Sequence, residues 1–197
     1  MKIKKTIFIV LLYLISFTHT SSSEEADVFV QSLINRTSEI LSDNISKEQK
    51  INELKVIAKE TVDIKGVSLY TLGSFVKTLD QNQQNEYTRL FEAYFLKSFS
   101  SRLAEYENPE IIISSKEVVN ESYTIVNSLL KGTSNRPEIK IDWRIYTKNP
   151  DKPLIRDLII EGLSLARTQK EEFESVLNSN NGDINALFKL LEEYSKN

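Results

Sequence analysis

The chain has 197 residues, with 25 basic against 28 acidic and a formal net charge of −3, which favours a single domain and argues against nucleic acid as a partner. It contains no cysteine, which excludes disulfides, a thiol nucleophile, thiolate metal sites and an acylated N-terminal cysteine. Its one histidine, His19, falls in the segment read below as an export signal, so the remainder lacks the usual general base near neutral pH and the commonest metal ligand.

Lys2, Lys4 and Lys5 form a positive start, Ile7 to Phe17 an apolar run, and Thr18 to Ser23 a polar stretch of mostly small residues. This is the layout of a cleavable secretory signal peptide. Residues 1–22 are assigned to it, and residues 23–197 to one domain exported to the periplasm. The apolar run is shorter than the roughly 20 residues of a membrane-spanning helix; an uncleaved anchor is the alternative. With the three lysines removed, the rest of the chain is more acidic. That sign suits neither nucleic acid nor electrostatic adhesion to an anionic membrane.

Ala26, Phe29, Val30, Leu33, Ile34, Thr37, Ile40 and Leu41 recur at helical spacing. Asp43-Asn44 ends this helix, and Ser46 with Gln49 is a capping box opening a second one, with apolar face Ile51, Leu54, Ile57, Ala58, Thr61 and Val62. Asp63 to Val76 is less regular and holds Leu72-Gly73-Ser74-Phe75, whose glycine would let a neighbouring backbone approach or would simply end a helix. Asp80 opens a helix carrying the stripe Tyr87, Leu90, Phe91, Tyr94, Phe95, Phe99 and Leu103. Such an aromatic stripe is ordinarily core.

The period then changes. Ile111 to Ile113 and Tyr123 to Leu130 read as strands, and Gly132 and Pro137 mark a turn. Ile139, Ile141, Trp143 and Ile145 alternate with Lys140, Asp142, Arg144 and Tyr146, as in an antiparallel strand with one buried face. Leu154 to Glu161 is the fourth strand, Gly162 to Leu177 a helix, and Ile184 to Tyr194 a last amphipathic helix. Helices, then a four-strand meander, then helices make an α+β fold.

Few residues offer chemistry. Asp157 and Glu161 would share one face of the fourth strand, but residues four apart on a strand lie about 13 Å apart, wider than either glycosidase geometry. The structural expectation is that Asp157 pairs with a cation while Glu161 supports the strand-to-helix turn, bonding amides near Ser164. Ser164 lacks a nucleophile elbow, since Ala166 stands where the second glycine would be; it is expected to cap the following helix. No phosphate loop or dinucleotide fingerprint is present. A sheet face of isoleucines and tryptophan opposite aromatic helices can close as solid core or leave a cavity, and periodicity does not decide between them.

The stretch Asp157–Phe173, DLIIEGLSLARTQKEEF, resembles the strand-to-helix signature of the MlaC family of periplasmic phospholipid-binding proteins, also known as toluene-tolerance auxiliary proteins. Asp157, Glu161, Gly162, Ser164 and Phe173 match it position by position. Leu72-Gly73-Ser74-Phe75 resembles the family's Leu-Gly-x-aromatic segment, and the order of elements agrees through Ile184–Leu191. The family's tryptophan before the aspartate would fall near Pro153; this chain has Trp143 on the preceding strand instead. The resemblance implies a curved four-stranded antiparallel sheet covered by helices, a nuclear-transport-factor-like cone with an apolar cavity. It implies a non-enzymatic carrier of phospholipid, without cofactor or metal. Its partners would be an outer-membrane lipoprotein complex and an inner-membrane ABC transporter. Acyl chains would supply the affinity, at about 0.8 kcal/mol per buried methylene, with the headgroup left in water. Strand parity and the aromatic stripe nominate the lining: Leu69, Leu72, Phe75, Phe91, Phe95, Ile141, Trp143, Ile145, Leu158, Ile160 and Leu163. The competing readings are a filled-core envelope interaction protein and an enzyme on the same cone using Asp157 or Glu161 with a tyrosine such as Tyr146.

Overall fold

The computed structural model describes residues 22–134 and 136–196; the signal-peptide assignment lies outside them, apart from Ser22. Helix α1 (Ser22–Ser42) presents Ala26, Val30, Leu33, Ile34 and Leu41 to the core. Helix α2 (Lys47–Thr61) starts at the expected capping box: Ser46 accepts from the Gln49 amide while the Gln49 side chain accepts from the Ser46 amide. The segment read as irregular forms helix α3 (Ile64–Thr71), capped by the Asp63 carboxylate on the Gly66 amide, and then a short 3-10 turn, Gly73–Thr78. Gly73 has φ +57°, the left-handed conformation that ends a helix most readily when no Cβ is present. Its neighbours are the Lys170 and Glu174 side chains rather than a backbone.

Helix α4 (Gln81–Leu103) opens at a second capping box, Asp80 with Gln83. Its aromatic stripe is core at one end: Tyr87 and Phe91 are buried and meet the Phe173 ring edge-on at 6.4 and 6.3 Å. Phe91, Phe95 and Phe99 form a stacked row. Helices α5 (Leu165–Ser179) and α6 (Ile184–Lys196) complete the helical layer, α5 packing on α3 and α6 on α4.

The sheet is antiparallel throughout, with strand order β1-β2-β3-β4-β5. Its strands are β1 (Ile111–Asn120), β2 (Tyr123–Leu130), β3 (Ile139–Tyr146), β4 (Leu154–Ile160) and β5 (Leu163–Ser164). The α+β class stands, but the expected count of four strands is corrected to five. Glu161 and Gly162 both take positive φ, 50° and 81°, the backbone of a tight two-residue hairpin turn. Leu163 and Ser164 therefore fold back onto Ile160 and Ile159 before α5 begins. Strand β1 also runs well past Ile113; its second half, Lys116-Glu117-Val118-Val119-Asn120, is mostly exposed and sets its two valines side by side, so no apolar alternation marked it.

Residues paired across antiparallel strands share a face. Val126, Trp143 and Leu158 form one cross-sheet row, and Ser128, Ile141 and Ile160 another. Helix α1 packs against this face on β1 and β2, with Lys116 Nζ 3.0 Å from Asp27 Oδ1. The indole N–H of Trp143 donates to Ser128 Oγ at 2.8 Å, and that hydroxyl donates to the Ile141 carbonyl, so the buried ring leaves no polar atom unpaired. The opposite face carries the row Ile125, Arg144 and Asp157. Arg156 is an extra residue in β4, because Ile145 pairs with Ile155 while Arg144 pairs with Asp157. A bulge of this kind bends the strand and puts Ile155 and Asp157 on opposite faces.

Burial pushes the Tyr87 hydroxyl well above its ordinary range. Thr71 donates its proton to the Ser68 carbonyl, so Tyr87 donates to Thr71 Oγ1 at 2.8 Å. The unfolded chain ionises its tyrosines near about pH 10, whereas folded Tyr87 stays protonated above that. The contribution of Tyr87 to stability is thus full below about pH 10 and is lost as pH rises further. Urea unfolding from pH 7 to 11 is expected to show that loss. Tyr87→Phe is expected to flatten it and to lower stability at pH 7 by about 1 kcal/mol, one hydrogen bond's worth.

Candidate functional site

The junction of β4, β5 and α5 is built around Asp157, which is 6% exposed. Its Oδ2 accepts from Ser164 Oγ at 2.6 Å and its Oδ1 from the Ala166 amide at 3.0 Å. Ser164 Oγ in turn accepts from the Arg167 amide, making it the N-cap of α5 as expected. Glu161 is not on the strand with Asp157: it sits in the turn, and its carboxylate accepts from the Lys140 amide while its own amide donates to the Lys140 carbonyl. Asp157 does face a cation and Glu161 does support the turn, as expected from sequence; the one difference is that the groups around Ser164 are bonded by Asp157 and not by Glu161. Asp157 holds the groups around Ser164, and Glu161 ties the turn to β3. The cation facing Asp157 is Arg144, at 3.9 Å. Both carboxylates are committed to backbone and cap, an arrangement that positions elements and leaves no paired acid and base.

Beside this junction a cleft of about 350 Å³ opens on the face of the sheet away from α1. Its sheet wall is Tyr123, Ile125, Arg144, Arg156 and Asp157; its helical wall is Val67 and Tyr70 of α3, with Ala166 at the start of α5. Val119 and Tyr70 at the rim are 51% and 48% exposed. The volume falls at the small end of ligand sites, and apolar walls with a few convergent polar groups are typical of them. Arg156 is spoken for: Nε lies 2.6 Å from Asp63 Oδ2, NH1 donates to Tyr123 Oη at 3.3 Å, and the guanidinium stacks on the Tyr146 ring.

None of the residues nominated from sequence lines this cleft. Leu72, Phe91, Trp143 and Ile145 are buried in the core; Phe75, Phe95, Ile141 and Leu158 are half-buried against it. Leu69 and Ile160 are half-buried, and Leu163 is 59% exposed. Ile141, Trp143, Ile145 and Leu158 share the α1 face, whereas Leu69 sits on the helix that walls the cleft, Leu72 at that helix's C-terminal cap, and Phe91 and Phe95 on the helix packed behind it. The cleft residues escaped notice because β3 alternates so cleanly that its charged face reads as solvent-facing. The available signal was β2, where Tyr123, Ile125 and Leu129 are apolar on the parity opposite to Val126 and Leu130.

Among the described residues no helix is long and apolar enough to cross a membrane. The family described as MlaC protein matches residues 31–193. No curated protein matches the chain. Among solved structures, the phospholipid-binding protein from Ralstonia solanacearum in complex with a phospholipid is similar, with a TM-score of 0.72 and 18% identity over 90% of this chain and 98% of that one; the likeness is one of fold.

The Asp157 junction predicts its own cost. Asp157→Ala leaves the Ser164 hydroxyl and the Ala166 amide without their acceptor and is expected to destabilise the protein by about 1–3 kcal/mol. Ser164→Ala is expected to cost about 1 kcal/mol. Chemical denaturation at pH 7 measures both, and values near zero would remove the junction from the stability account.

Proposed function

The chain belongs to the MlaC family, and from that premise we propose that it is a periplasmic phospholipid carrier, exported by a signal peptide in residues 1–22. It binds lipid acyl chains in an apolar cavity between sheet and helices and shuttles lipid between an outer-membrane lipoprotein complex and an inner-membrane ABC transporter. The observation that carries the reading is the family match across residues 31–193. It is supported by a fold shared with a protein described as phospholipid-binding and by an open, apolar-walled cleft between α3 and the sheet. The register shifts in β1 and in the β3–β4 pair, each bending its strand, support reading the sheet as one wall of a nuclear-transport-factor-like cone.

We place the lipid's entrance at the cleft. The chain would run over Val67, Tyr70 and Ile125 and then toward Leu69, Leu72, Phe91 and Phe95. Leu72 and Phe91 are packed core, so a long chain reaches them only when α3 shifts from α4. Phe75, Ile141, Trp143, Ile145, Leu158, Ile160 and Leu163 stay in the proposal as the side chains a second chain would meet; Trp143 and Ile145 are packed core, so it reaches them only when the helices move off the α1 face. Each methylene removed from water contributes about 0.8 kcal/mol, so chain burial alone accounts for retention without a cofactor or catalytic group.

Native mass spectrometry of the purified protein, followed by organic extraction, tests this. Phospholipid near one molecule per chain is the expected result, and Ile125→Glu is expected to lower the loaded fraction about tenfold, the effect of roughly 1.4 kcal/mol. Protein that carries no lipid and takes none from phosphatidylethanolamine–phosphatidylglycerol vesicles would instead favour a filled-core interaction protein.

A further inference from the structure

The cleft contains two guanidinium groups in opposite situations. Arg156 is held by Asp63, by Tyr123 and by the Tyr146 ring. Arg144 has one charged neighbour, Asp157, at 3.9 Å, beyond hydrogen-bonding distance. Each Asp157 oxygen already has a donor of its own, the Ser164 hydroxyl and the Ala166 amide, which hold the carboxylate toward the first turn of α5. The five N–H donors of Arg144 thus make no hydrogen bond to any described residue, and its side chain, 42% exposed, lines the cleft.

The surroundings narrow what those donors are for. Tyr123 Oη accepts from Arg156, which leaves its own proton free to donate into the same space. Val67, Ile125, Val119 and the Tyr70 ring supply apolar wall on either side. Asp157 is the carboxylate facing Arg144, and its oxygens are turned toward the first turn of α5. An apolar groove beside a guanidinium that has a charged neighbour but no hydrogen-bond acceptor among the described residues, and beside a phenolic O–H, suits an amphiphile whose polar end is an anionic oxygen group. Arginine's planar fork matches phosphate oxygens in pairs.

Resting on the carrier reading above, we infer that Arg144, assisted by Tyr123, seats the phosphate of the bound phospholipid in this cleft, so that the headgroup is anchored rather than left in water. Arg144 is a binding residue in this assignment, and Arg156 a positioning residue that holds Tyr123 in place. The phosphate is common to all phospholipids, so the contact selects lipids from uncharged apolar molecules without selecting among headgroups. Because Arg144 stands on a strand fixed on both edges, the phosphate position is rigid while α3, carrying Val67 and Tyr70, forms the opposite wall.

The test uses delipidated full domain titrated by calorimetry with dihexanoyl phosphatidylglycerol and with uncharged dihexanoylglycerol. Arg144→Gln is expected to weaken the phosphatidylglycerol by about tenfold to a hundredfold, the range for a charge-assisted contact, and to leave dihexanoylglycerol unchanged. Arg144→Lys is expected to restore part of the loss. Phosphorus NMR of the loaded wild-type protein is expected to show a shifted lipid resonance that Arg144→Gln returns toward its free position, a readout that a merely structural role would not move. Equal affinity for the phosphatidylglycerol in wild type and Arg144→Gln, with an unmoved resonance, overturns this inference and leaves the carrier reading intact. Wild-type protein that binds neither lipid overturns both. Inorganic phosphate binding as tightly as the phosphatidylglycerol overturns the lipid assignment and makes the cleft a site for free phosphate.

Discussion

Asp157 is the point through which the sheet and the helical layer are joined. A buried carboxylate is costly unless its oxygens are satisfied, and here each oxygen has a donor from the segment that follows. Those two bonds require the chain to reverse at Glu161-Gly162, so that Ser164 and Ala166 come back alongside β4. The reversal creates β5, sets the first turn of α5 over the sheet, and aims Phe173 at Tyr87 and Phe91. The closing cap on Arg167 uses the same hydroxyl that serves Asp157. A different residue at 157 would therefore affect a hairpin, a helix start and the packing of the aromatic core together.

The second constraint is the extra residue in β4. Without Arg156 as a bulge, Ile155 and Asp157 would point to the same side. With it, Ile155 joins the core on the α1 face while Asp157 and Arg144 serve the cleft. The displaced arginine is then free to reach Asp63 at the start of α3 and Tyr123 on β2. One inserted residue thereby separates a closed face from an open one and connects α3 to the sheet at the cleft's edge.

Much of the secondary structure was legible because it depends on neighbours in sequence. The Ser46–Gln49 and Asp80–Gln83 capping boxes, the Ser164 cap and the alternation of β3 all act within a few residues, and each stands where the residues place it. The fourth and fifth strands were less legible. Glu161-Gly162 looks like a strand running into a helix, because the left-handed backbone of a glutamate depends on a carboxylate contact to Lys140, some twenty positions away. The outer half of β1 has no apolar period, since its pairing comes from backbone hydrogen bonds to β2 at an exposed edge.

The candidate site divides the same way. The apolar positions and the family signature around Asp157 are properties of residue order, so the chain alone determined an α+β protein of the MlaC family and which positions are apolar. Which apolar face is packed and which is open was decided by tertiary structure: by α1 lying on the Trp143 face, by the Arg156 bulge, and by α3 standing beside the opposite face. The freedom of Arg144 belongs to that second category too. Whether a guanidinium has a hydrogen-bond acceptor depends on partners brought near it by the fold, and here the facing carboxylate is turned toward a hydroxyl and an amide of the next element and stands 3.9 Å away.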